Sequence, residues 1–67
     1  MSPFAYKTAR QALGLTQSKL AEWLGVARET IVRREGATQR IPREAVIAIH
    51  TLVHEKIMYS TFKLANR

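Results

Sequence analysis

Arg28, Arg33, Arg34, Arg40 and Arg43 crowd into a short stretch of a 67-residue chain. Each guanidinium is a permanently charged fork of N–H donors, shaped to meet phosphate and carboxylate oxygens. Over the whole chain, lysine plus arginine number 11 against 5 aspartate plus glutamate, a formal charge of +6. A surface so basic suits a polyanion, either nucleic acid or an acidic membrane face. Catalytic chemistry is poorly provided for: there is no aspartate, no cysteine and no glycine-rich phosphate loop. His50 and His54 stand i, i+4, a spacing that can hold a metal. No third ligand accompanies them, and Glu55 does not complete the His-Glu-x-x-His order of a zinc protease. The chain therefore reads as a non-enzyme with no metal site and no cofactor, its histidines on a solvated or interface face.

The scaffold must be one small domain spanning 1–67. Hydrophobic residues at 46% and charged residues at 24% describe a globular chain rather than a disordered one. So short a chain buries a modest core. Without cysteine no disulfide can staple it, so helix packing or dimerisation must supply the stability. No run approaches the roughly 18 apolar residues of a membrane span. Met1-Ser2-Pro3 lacks the basic and apolar regions of a secretory signal, so a cytoplasmic location is expected. A membrane-surface role ranks last, because the basic residues lack an amphipathic lipid-facing helix.

Glycine and proline punctuate helices. Ser2-Pro3 reads as an N-cap with proline at the first helical position, opening a helix from about Pro3 to Leu13 that stops at Gly14. Tyr6, Ala9, Arg10 and Leu13 share one of its faces. Thr16 caps a second helix, Gln17 to Leu24, with Gln17, Leu20, Ala21 and Leu24 spaced i, i+3, i+4, i+7. Gly25 ends it. A third helix starts near Ala27 or Arg28 and stops at Gly36. Pro42 opens a fourth, with Ala45, Ile49, Leu52 and Val53 at helical period. We expect it to reach about Met58. Beyond Lys56 the pattern is ambiguous: Met58, Ser60, Phe62 and Leu64 alternate like a strand, yet Glu55 to Leu64 could also be a short helix. The fold class is all-α, with four to five short helices.

The most informative run is Gln17-x-x-Leu20-Ala21-x-x-x-Gly25-Val26-x-x-x-x-Ile31-x-x-x-Glu35-Gly36. Two short helices crossing steeply need a small residue where they touch, which suits Ala21. The turn between them needs a residue tolerant of positive φ, which suits Gly25. Val26 and Ile31 close the small core between them. With Gly14-Leu15-Thr16 ahead of it, this run resembles the lambda-repressor-like (Xre/Cro) helix-turn-helix domains of phages and bacteria. The resemblance covers roughly residues 4–56, with the helix-turn-helix at 17–35.

That resemblance implies a domain that binds operator DNA, usually as a two-fold dimer. Its third helix enters the major groove in the docking geometry known for phage repressors and Cro. Arg28, Glu29 and Arg33 then occupy base-contacting positions. Arginine suits guanine O6 and N7, and glutamate accepts from cytosine N4. Glu29 and Arg33 also stand i, i+4 and can simply pair with each other. Gln17, Thr30, Thr38, Arg40 and Arg43 are the phosphate-contacting candidates, with Arg28 the expected neighbour of Gln17 across the turn. For Arg40 and Arg43 the alternative is a solvated loop. The family often pairs the positions of Arg10 and Glu35, which assigns both to a structural ion pair and removes them from the DNA list.

Two positions depart from the family pattern. Arg34 stands where an apolar residue is usual, and is expected to lay its stem over the core with its head aimed at DNA or an acidic partner. Trp23 stands where a polar residue is usual, and is expected to pack peripherally. The C-terminal segment 57–67 carries more apolar residues than one core absorbs. Leu52, Ile57, Tyr59 and Phe62 are accordingly candidates for a homodimer interface, the alternative being intramolecular core. The expected function is a transcriptional regulator, a small Cro-type repressor on a double-stranded DNA operator. The rival is an antitoxin-like or anti-polymerase module whose main partner is a protein.

Overall fold

The structure, a computed structural model, describes residues 1–65. Four helices account for its regular structure: α1 (Pro3–Ala12), α2 (Gln17–Leu24), α3 (Arg28–Glu35) and α4 (Arg43–Ala65). The chain is all-α among the described residues.

Local chemistry sets most of the boundaries. The Ser2 hydroxyl accepts from the Ala5 N–H at 3.0 Å, with Pro3 following it at the start of α1. The Thr16 hydroxyl accepts from the Lys19 N–H at 3.1 Å to cap α2. Each occupies an N–H that the helix cannot satisfy itself. Gly25 closes α2 at φ +69°, the left-handed conformation anticipated there. The end of α3 is built differently. Gly36 has an ordinary negative φ, and Ala37 takes the left-handed place at φ +61°. Gly36 is instead closely approached: a Cβ there would sit 3.2 Å from the Val32 carbonyl oxygen, a tight contact.

Tyr6, Leu20, Ala21, Ile31, Ala45 and Ile49 form the buried core. Ala9, Leu13, Leu15, Leu24, Val26, Ile41 and Leu52 pack around it. Every helix contributes, so α3 is fixed by what lies beneath it.

The long α4 corrects two expectations. It does not end near Met58 but runs on to Ala65, 23 residues in all. Alternation alone cannot sustain a strand: among the described residues there is no partner strand, and backbone groups pair more readily within a continuing helix. Leu52 is half-buried against the core rather than free for an interface, because it follows Ile49 by three residues and shares its inward face. From His54 to Leu64 every residue is exposed, including Ile57, Met58, Tyr59, Phe62 and Leu64. Of the segment 57–67, positions 66 and 67 lie outside the described residues. Trp23 is 58% exposed, more solvent than packing. No helix among the described residues is long and apolar enough to cross a membrane.

Candidate nucleic-acid interface

Helical geometry sorts the side chains of α3. Ile31 and Arg34 point into the protein, while Arg28, Glu29, Val32 and Arg33 are exposed. Spacings of i+1, i+4 and i+5 from Arg28 place these four on one outward stripe. Glu29 and Arg33 form no ion pair with each other, and Arg33 has no carboxylate partner, among the described residues. The stripe therefore keeps one carboxylate and two guanidinium groups open to solvent. Val32, 38% exposed, was not among the candidate residues. Its place between Arg28 and Arg33 at i+4 from the former is the signal that marks it, and an apolar side chain there suits a thymine methyl group.

Behind the stripe lies a polar relay. Arg10 Nε donates to Glu35 Oε2 at 2.7 Å and Arg10 Nη2 to Glu35 Oε1 at 3.0 Å, a two-pronged pair. The side chains are only 11% and 5% exposed. Arg10 Nη1 also donates to the Leu15 carbonyl at 2.8 Å, tying in the chain that leads to α2. Gln17 Nε2 donates to Glu35 Oε1 at 3.3 Å, and Arg28 Nη2 reaches Gln17 Oε1 at 3.5 Å. The second of these is long for a hydrogen bond and correspondingly weak. Arg10 and Glu35 thus join α1 to the end of α3, and Gln17 links that pair to the start of α3.

The remaining candidates divide. Thr30 is half-buried, opposite Arg28 on the helix but beside Arg33, which follows it by three residues, so it borders the stripe at one edge. The Thr38 hydroxyl donates to the Arg33 carbonyl at 3.3 Å, and the Thr38 N–H reaches the same oxygen at 3.0 Å. These contacts tie the exposed Thr38 to the end of α3. Arg40 in the loop and Arg43 at the start of α4 are exposed.

Arg34 overturns its expectation. It is 7% exposed, and its head turns inward. Nη1 donates to the Tyr6 hydroxyl at 3.1 Å, and the guanidinium carbon lies 5.9 Å from the centre of the Tyr6 ring. Its position three residues after Ile31 directs it into the core, and Tyr6 supplies both a π face and an acceptor there. His50 and His54 are both exposed, and no cluster of three or more metal-ligating side chains exists among the described residues.

Comparison of the chain with models of protein families, with curated proteins and with solved structures finds no match in any of the three.

Proposed function

We propose that this protein is a sequence-specific DNA-binding regulator, a small repressor of Cro type, in which α2, the Gly25 turn and α3 act as a helix-turn-helix. The observation that carries this reading is the outward stripe of α3: Arg28, Glu29, Val32 and Arg33 stand exposed, with Arg33 and Glu29 unpaired, on a helix anchored from behind by Arg10, Glu35 and Gln17. Arg28 and Arg33 read guanine, Glu29 accepts from cytosine N4, and Val32 meets a thymine methyl. Gln17, Arg40 and Arg43 supply phosphate contacts, which fix register without carrying sequence information. Repression follows from occupancy of an operator.

The exposed apolar end of α4 supports assembly as a two-fold homodimer through Ile57, Tyr59 and Phe62, with half-sites about one helical turn apart. The same surface favours the rival reading, a module of antitoxin or anti-polymerase kind that docks on another protein. Selection of bound sequences from random DNA at two salt concentrations separates the two. A recovered consensus with a steep salt dependence is expected. Recovery of no consensus at either salt concentration rejects the operator reading. Sedimentation showing a monomer both free at tens of micromolar and on DNA rejects the homodimer.

A further inference from the structure

Arg34 is a buried cation without a counter-ion. Among the described residues it forms no ion pair, its Nε is buried with no hydrogen-bond partner, and only Nη1 is engaged, by the neutral Tyr6 hydroxyl. A ring face and a hydroxyl soften the cost of burial but do not neutralise the charge. Arg34 also lines a pocket of about 180 Å³ between the end of α2, the buried side of α3 and the first turns of α4. Leu24, Val26, Ala45 and Ala48 give it apolar walls, and the exposed Glu44 also lines it. Pro42 and Ala45 bring the positive end of the α4 dipole alongside.

We propose that this pocket binds a small monocarboxylate with a short apolar tail, the carboxylate on Arg34 and the tail against Leu24, Val26, Ala45 and Ala48. Size sets the first limit. Ligand pockets for drug-sized molecules begin at about 300 Å³. This one holds roughly six water-sized volumes, close to the heavy-atom count of butyrate. Charge sets the second. A phosphate dianion needs several converging donors, and the Glu44 carboxylate repels it about twice as strongly as a monoanion. A carboxylate needs little more than the guanidinium edge, and guanidinium–carboxylate contacts are among the stronger charge-assisted hydrogen bonds. The walls then favour an alkyl tail over a hydroxylated one.

The test uses the full, isotope-labelled chain without DNA, titrated with sodium butyrate, sodium phosphate or sodium chloride at matched ionic strength. Butyrate is expected to give saturable NMR shifts centred on the Arg34 Nε–H and the amides of Val26, Ala45 and Ala48. Phosphate is expected to bind at least tenfold more weakly, and chloride to give no saturable response. Arg34→Met is expected to abolish the butyrate shifts, and Glu44→Gln to tighten butyrate at least threefold by removing a like charge. An absent or chloride-matched response overturns the proposal, as does butyrate binding that survives Arg34→Met. Should Arg34→Met fail to fold, Glu44→Gln decides. Unchanged or weaker butyrate affinity in that variant, with a lower melting temperature before ligand is added, identifies Glu44 itself as the counter-ion and overturns the proposal.

Discussion

Arg10 and Glu35 stand 25 positions apart and meet through two parallel hydrogen bonds, at 2.7 and 3.0 Å, with both side chains almost wholly out of water. The pair spans from α1 to the last residue of α3, so the orientation of the proposed reading helix depends on a residue far outside it. Removing one partner strands a buried charge, which costs about 3 kcal/mol or more, while removing both costs much less. Arg10→Met is therefore expected to lose about 3 kcal/mol in urea denaturation, most of what so small a domain possesses. Arg10→Met with Glu35→Leu is expected to recover more than half of that loss. Additive effects in the double variant count against the pair as a unit.

The Tyr6–Arg34 contact gives a second coupled pair. Tyr6→Phe removes the acceptor for Arg34 Nη1 and is expected to cost about 1 kcal/mol. In an Arg34→Met background the same change is expected to be close to neutral, since no buried donor is left unsatisfied. Denaturant midpoints of the four proteins measure the coupling. Equal costs in both backgrounds refute it.

At the end of α3 a β-carbon sits where glycine is at ease. Ala37 adopts φ +61°, a left-handed conformation that costs an L-residue roughly 1–2 kcal/mol. Ala37→Gly relieves this but adds backbone freedom to the unfolded chain, leaving a net gain of about 0.5 kcal/mol. Gly36→Ala is expected to destabilise, because the added carbon meets the Val32 carbonyl. Thermal melts of the two variants should move in opposite directions.

On DNA, each of Arg28→Ala and Arg33→Ala is expected to weaken the selected sequence by roughly tenfold or more and to relax preference at one base position. Arg43→Ala is expected to weaken all sequences alike and to flatten the salt slope by about one unit. Fluorescence anisotropy on selected and scrambled duplexes separates these patterns. An unchanged affinity in the Arg28→Ala/Arg33→Ala double variant removes α3 from the interface.

The first two helices are legible because their ends are written in local chemistry. Ser2, Pro3, Thr16 and Gly25 act within a few residues of where they stand, so no tertiary knowledge is needed to place them. The Arg10–Glu35 pairing came through family resemblance, since nothing in the residues themselves links positions so far apart. The inward turn of Arg34 is hidden from the sequence for the same reason. A charged residue at an inward helical position can lead its head out or bury it, and the choice rests on Tyr6, which sequence spacing does not bring near. Thr38 looked like a loop hydroxyl until the Arg33 carbonyl beside it appeared. The tail of α4 was unreadable by period, because alternation at Met58, Ser60, Phe62 and Leu64 fits a strand and a solvated helix equally well.

One helix here has two thermodynamic halves. Around Ala45 and Ile49, α4 is part of the core, and its amide protons should exchange with deuterium only on global unfolding. Beyond Lys56, which donates to the Ala12 carbonyl, the surrounding side chains are exposed and the backbone hydrogen bonds have little but the helix itself to shield them. Exchange in the isolated chain should therefore quicken steadily from Ile49 toward Leu64. Whatever seats itself on Ile57 and Tyr59 would then be recorded as a newly slowed block of amides at one end of an otherwise unchanged helix.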